Sequence, residues 1–297
     1  MLDILMGAIS LGLLWAVMTI GVFITYRILN IADLTVEGSI AMGAAIAAQG
    51  ITLGMNPYAA TLLALIGGMA AGMATGLLHT QLKIPALLSG ILTMIALWSI
   101  NLRIMGKANI SLLRMNTVYT LLENSGLDKA YAIIILGLIA VFGIITCLYW
   151  FFGTEIGCAI RATGNNPNMA RAQGINTDVT IILGLIISNG LVAVSGALIA
   201  QSQGYADVQM GTGSIVIGLA SVIIGEVLFG RKNFYSRLVS LALGAVTYRI
   251  IIALVLKMGM PANDLKLFTA ITVAVALSLP TLKDYLIPIR RSYKGVD

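Results

Sequence analysis

A chain of 297 residues that is 59% hydrophobic and only 10% charged, with mean hydropathy +0.97, falls far below the roughly 25% charged content of water-soluble domains. Lipid, not water, is its expected main solvent. The net charge of +6 comes without a basic patch interleaved with aromatics, which excludes nucleic acid as the partner, and two cysteines are too few for a disulfide framework.

Met1-Leu2-Asp3 carries no basic segment before the first apolar run and no clear cleavage site, so that run is expected to be kept as a helix. Crossing a bilayer takes roughly 20 apolar residues. Runs of about that kind cover 4–29, 34–48, 58–78, 85–105, 130–152, 179–200, 214–229, 238–256 and 267–282. The second run is short and starts in a polar patch, Asn30-Ile31-Ala32-Asp33-Leu34-Thr35-Val36-Glu37-Gly38. Pro261 and Pro280 punctuate the last hairpin, and 283–297 is a polar, basic tail. Thirty-two glycines suit closely packed membrane helices, where small residues let backbones approach. The expected fold is an all-α polytopic membrane protein: one domain over 1–297, with eight or nine transmembrane or partly spanning helices.

The longest polar interval between two apolar runs, 154–178, is punctuated as one short helix. Asn165 and Asn166 can cap free N–H groups, and Pro167 suits the first helical position. Met169, Ala170, Ala172 and Gln173 carry about two turns, Gly174 supplies a left-handed stop, and Ile175 can pack back on the last turn. A helix this short is marginal in isolation. The segment reads as a handle for a soluble partner, with Met169 and Ile175 exposed. Arg161 and Arg171 serve as cytoplasmic charges or meet acids on that partner.

Orientation follows from Lys and Arg. With the handle in the cytoplasm and each run crossing once, Arg27, Lys83, Arg161, Arg171, Arg231, Lys232, Arg237, Lys283, Arg290, Arg291 and Lys294 lie inside. Arg103, Lys107, Arg114, Lys129, Lys257 and Lys266 lie outside. Eleven against six follows the positive-inside rule, with the N-terminus outside and the C-terminus inside.

The chain also echoes itself. The segment Gly38-Ser39-Ile40-Ala41-Met42-Gly43-Ala44-Ala45 is matched by Gly213-Ser214-Ile215-Val216-Ile217-Gly218-Leu219-Ala220, and each follows an Ala-Asp pair, Ala32-Asp33 and Ala206-Asp207. One copy starts at the cytoplasmic side and the other at the outer side. Inverted repeats with short or broken helices at corresponding positions mark the pathway in transporters. Asp33, Thr35, Glu37, Asp207 and Ser214 are therefore candidate pathway residues, with Gln209 and Thr212 beside the second acid. Acids and hydroxyls at a helix start also cap it and complement its dipole, and the two roles are compatible.

No GxxxxGK[ST] loop, HExxH or metal-binding cysteine pair occurs, so neither a nucleotide site nor a metal site is expected in this chain, and no nucleophile–base set marks an enzyme. His79, the single histidine, is read as interfacial, and Asn101 and Asn189 as ties between helices. Arg249 lies midway along its run, where charge is costly, and Glu226 is its expected partner.

The motif Gly157-x3-Arg161-Ala162-x7-Ala170-x3-Gly174-Ile175-Asn176-Thr177-Asp178 resembles the cytoplasmic coupling segment of ABC importer permeases of the branched-chain amino-acid and ribose type. Gly7-x4-Gly12, Asn30-Ile31-Ala32 and the Glu37-Gly38 turn are similar to the same family's first two helices. The resemblance implies a subunit of the bacterial inner membrane in which two permease copies form the pathway. ABC ATPase subunits carrying ATP and Mg would dock beneath, and an extracellular or lipid-anchored binding protein would deliver a small polar solute. The helix around 167–173 would sit in a groove on the ATPase. Family members serve amino acids, sugars and nucleosides, and an amino acid is the leading expectation. The alternatives are an ion-coupled secondary transporter using Asp33, Glu37, Glu226 and Arg249, and a membrane scaffold without transport.

Overall fold

Inside a bilayer no water is available to backbone N–H and C=O groups, so long apolar runs satisfy them internally as helices. The computed structural model describes residues 2–257, except 125 and 231–232, together with 267–275 and 278. Every predicted run is helical where described. In chain order these are α1 (Leu2–Phe23), prolonged by a π-helical turn (Ile24–Ile28), α2 (Thr35–Thr52), α3 (Pro57–Thr80) and α4 (Ala86–Met105). Strand β1 (Asn109–Ser111), α5 (Thr120–Asn124) and α6 (Lys129–Phe151) follow, then α7 (Glu155–Asn165), α8 (Pro167–Ala172), α9 (Thr177–Gln203), β2 (Tyr205–Asp207), α10 (Ser214–Phe229) and α11 (Phe234–Lys257). Residues 267–275 are also helical. The predicted tail at 283–297 lies outside the described residues, as do Arg231, Lys232, Pro261, Lys266 and Pro280.

Six of the described helices are long and apolar enough to cross a membrane: α1 with its π turn, α3, α4, α6, α9 and α11. The chain is a multi-pass membrane protein. Helix α10 is apolar but has only 16 residues, and α2 has 18, so the two halves of the sequence echo are the two short helices. Exposed apolar side chains such as Leu62, Leu92, Leu138 and Phe142 cover the outer faces of α3, α4 and α6, as lipid contact requires.

Helices α2 and α9 form the centre, with α3 and α1 packed on α9 and α4 on α2. Close approach sets this core. A Cβ at Gly43 would run into the backbone of Ala193, and one at Gly196 into the carbonyl of Ile40, so α2 and α9 touch backbone to backbone. At the end away from α7 and α8, β1 pairs antiparallel with β2, Ile110 facing Ala206 and Asn109 facing Asp207. Strands of three residues leave almost no periodic signal, and the sequence reading contains no counterpart to this pair.

The predicted Glu226–Arg249 pair is not formed. Glu226, its side chain fully buried, instead accepts from Arg27 Nη2 at 2.8 Å and from Arg237 Nε at 2.8 Å, tying α10 to the π turn and to α11. The reason is axial distance: Arg249 lies 12 residues beyond Arg237 on α11, which at 1.5 Å per residue is roughly 18 Å along the helix axis. Arg249 stacks over the Trp15 ring, 4.1 Å from its centroid, and its buried Nε has no hydrogen-bond partner among the described residues.

Candidate functional site

Two places in the fold concentrate polar structure: the segment between α6 and α9, and the point where the two short helices begin.

The polar interval folds as two helices, where its sequence reads as one. Thr154 starts α7 by accepting from Gly157 N at 3.3 Å. Gly157, Ile160 and Thr163 then fall on one face and are buried. Gly157 lets this helix lie against the end of α6, where a Cβ would meet the backbone of Phe151 and Phe152. Gly164, which carries no sequence signal beyond its residue type, abuts the Ile28 carbonyl and seats α7 on the π turn of α1. Thr163 and Thr180 share a 2.8 Å hydroxyl contact that fastens α7 to α9.

Asn166 caps α8 by accepting from Met169 N at 3.1 Å, and Pro167 follows at its first turn. Asn165, also expected as a cap, is instead the last residue of α7. Gly174 has φ +81°, and Ile175 N donates to Ala170 O at 3.0 Å, which closes the helix as expected. Exposure departs from expectation at Ile175, which is half-buried, and Ala170 beside Met169 is fully buried within its own chain. Arg171 donates through Nε to Thr177 Oγ1 at 2.8 Å, bracing the turn into α9. Lys83 and Asp178 add an ion pair at 3.5 Å between the α3–α4 connection and α9. The exposed surface of α7 and α8 mixes Ile156 and Met169 with the polar and charged Glu155, Arg161, Asn165, Asn168 and Arg171, and it includes Cys158, Pro167 and Ala172. Beside it opens a cavity of about 710 Å³ lined by Arg27, Arg161, Arg237, Asn165, Met169 and Phe234. Arg161 stacks on Phe234, 5.4 Å from its ring. His79 Nδ1 bonds to Ile84 O at 2.8 Å, so the lone histidine ties off the end of α3.

At the second place, Asn30 (φ +56°) turns the chain out of the π turn, and Asp33 reaches Asn189, midway along α9. Helix α2 therefore starts inside the bundle. Asp33 Oδ1 accepts from Thr35 N at 2.9 Å and Oδ2 from Asn189 Nδ2 at 2.8 Å; Ser39 donates to Asn189 Oδ1 at 2.7 Å. Thr35 and Thr75 hydroxyls meet at 2.7 Å. Asp33 and Thr35 are thus buried and saturated, serving as helix start and interhelical tie.

The second copy repeats this geometry. Asp207 Oδ1 accepts from Gln209 N at 2.7 Å, the same two-residue turn that Asp33 makes with Thr35. The two helix starts then meet, because Gly213 N at the cap of α10 donates to Glu37 Oε1 in the first turn of α2 at 3.0 Å. Helix α2 runs away from the α7–α8 end and α10 runs towards it, as an inverted repeat requires. Glu37, unlike Asp33, borders open space: a cavity of about 410 Å³ between α2, α4 and the turn before α10. Ser214 is buried, its hydroxyl without a partner among the described residues, and Asp207 stays at the β1–β2 pair, 3.3 Å from Asn109 Nδ2. Of the five candidate pathway residues, Glu37 lines this cavity.

Comparison with known proteins gives one consistent picture. Residues 4–276 match the family described as branched-chain amino acid transport system / permease component. The tyrosine transport system permease protein of Clostridioides difficile is 41% identical over 94% of this chain and 92% of its own. An uncharacterised protein of Rickettsia prowazekii is 34% identical over 93% and 98%. The autoinducer 2 import permease LsrC of Yersinia pseudotuberculosis matches a shorter part, 27% identical over 58% of this chain and 48% of that one. Among solved structures, PsaBC of Streptococcus pneumoniae with a Fab gives a TM-score of 0.53 at 13% identity over 92% and 89% of the two chains. An ABC transporter described as metal-chelate type, in an inward-facing conformation, gives 0.51 at 12% over 95% and 85%.

Proposed function

The chain belongs to the branched-chain amino acid transport system permease family, and from that premise we propose that it imports an amino acid, with α7 and α8 as the lever through which a partner ATPase drives the bundle. As an ABC transporter permease subunit it is not itself an enzyme. The observation that carries the reading is the mounting of α7 and α8. Both are capped, and Gly157 and Gly164 key α7 to the end of α6 and to the π turn that prolongs α1, with Met169 of α8 left exposed. A lever must transmit displacement, and backbone-to-backbone contacts give it little room to slip. Closure of the ATPase pair on ATP would shift α7–α8 as a body and bias the bundle between two states.

The arginine-lined cavity beside the lever supports an acidic group on the partner, since Arg27 and Arg237 share the single acid Glu226 and Arg161 adds a third positive charge. Tyrosine transport by a 41% identical relative supports an amino acid as cargo. A second permease copy would complete the pathway, with α7 and α8 in the cytoplasm, the C-terminus inside and the N-terminus outside. The ion-coupled alternative has few free charges to use, because Asp33 is saturated by Asn189 and Thr35, and Glu226 is held by two arginines. The test is ATP-driven uptake in proteoliposomes by wild type and Met169→Asp, with the partner ATPase and binding protein present. Uptake lost in the variant, whose bundle stays folded, supports the lever; normal uptake overturns it.

A further inference from the structure

The cavity between α2, α4 and the turn before α10 has a chemistry that its position in the fold does not require. Glu37 carries the single charge among its lining residues. One of its oxygens takes the hydrogen bond from Gly213 N, and the other accepts from none of the described residues. Asn101 lines the same cavity and is wholly buried. Its Nδ2 donates to Gly38 O at 3.2 Å, which orients the amide, and its buried Oδ1 has no partner among the described residues. Buried acceptors left unpaired are uncommon in native proteins and ask for a donor. Trp98, one turn before Asn101 on α4 and half exposed, lines the same space with Met94 and Ile95. The volume, about 410 Å³, is within the range of small-molecule sites, roughly 300–1,000 Å³.

We propose that this cavity is a substrate site within the permease itself, taking the ammonium group of an amino acid at Glu37 and Asn101 and its side chain against Trp98. An ammonium supplies three donors and a positive charge, which matches one carboxylate oxygen and one amide oxygen. An indole face accepts both an aromatic ring and a cation. The site stands where the starts of α2 and α10 meet, so a relative shift of these two short helices opens or closes it. It would let the permease discriminate among solutes that a binding protein has already delivered. The inference rests on the importer reading above.

The test is saturation-transfer NMR on the full chain in lipid nanodiscs. The probes are L-tyrosine, tyramine and 3-(4-hydroxyphenyl)propionate, which lacks the amine. Tyrosine and tyramine should give ring-proton signals and the propionate none. Glu37→Gln, which keeps the bond from Gly213, should bind tyrosine about tenfold or more weakly. Trp98→Ala, at an exposed position that tolerates truncation, should weaken the ring signal. Equal binding by Glu37→Gln, or equal signals from the propionate, overturns the site while wild-type uptake with the partners leaves the importer reading standing. Absence of any amino-acid uptake by wild type overturns both.

Discussion

Glu226 offers the sharpest test of how the lever end of the bundle is held. Its buried carboxylate binds Arg27 and Arg237, one from the π turn of α1 and one from α11. Glu226→Ala leaves two guanidinium groups facing a site built for an anion. Breaking a buried pair by removing one partner costs about 3–5 kcal/mol. Here the arginine side chains keep 32% and 27% of their exposure and can turn towards water, so the expected loss is smaller, about 2–3 kcal/mol. With a shift of about 2–4 °C per kcal/mol in domains of this scale, the apparent melting temperature should fall by about 4–12 °C. The assay is thermal unfolding of the purified chain in detergent, with Glu226→Gln and Arg237→Met beside it. Arg237→Met leaves the Arg27 contact in place and should cost less than Glu226→Ala. A melting temperature for Glu226→Ala within about 1 °C of wild type would refute the three-residue clamp, since its predicted cost is at least about 2 kcal/mol.

Two further outcomes follow from the same reasoning. Asn189→Leu removes both the donor to Asp33 and the acceptor for Ser39; leaving two buried groups unpaired should cost about 2–4 kcal/mol, read as lower thermal stability and earlier proteolysis of the α1–α2 connection. Gly164→Leu puts a side chain where the Ile28 carbonyl sits, so α7 must lift off the π turn; uptake should fall severalfold more than the amount of folded protein does, as separate transport and yield measurements on the same membranes would show.

The helical runs were legible because lipid leaves an apolar segment only one economical way to satisfy its backbone. The two short helices were legible too, since Asp33 and Glu37 interrupt one apolar pattern and Asp207 interrupts its echo. Side-chain partners were harder to read. Arg249 and Glu226 look like neighbours in a list of intramembrane charges, yet α10 ends where α11 begins, so Arg237 is level with Glu226 and Arg249 is not. Capping signals located Asn166 and Gly174 because they act within a few residues. The burial of Ala170 and the docking of Gly164 depend on which face of a short helix meets the bundle, and two turns of mixed polarity do not specify that. Glu37 and Asp33 differ for the same reason: four residues apart on a polar patch, one closes a packed joint and the other borders a cavity.

The central claim is that α7 and α8 carry the ATPase's motion into the bundle. ATP hydrolysis and amino-acid uptake measured together in proteoliposomes, for wild type and Met169→Asp, test it most directly. The account predicts that wild type couples the two and that the variant, folded to the same extent, loses uptake and its bound ATPase. A variant that imports at the wild-type rate, or uptake by wild type that persists without ATP, would contradict it.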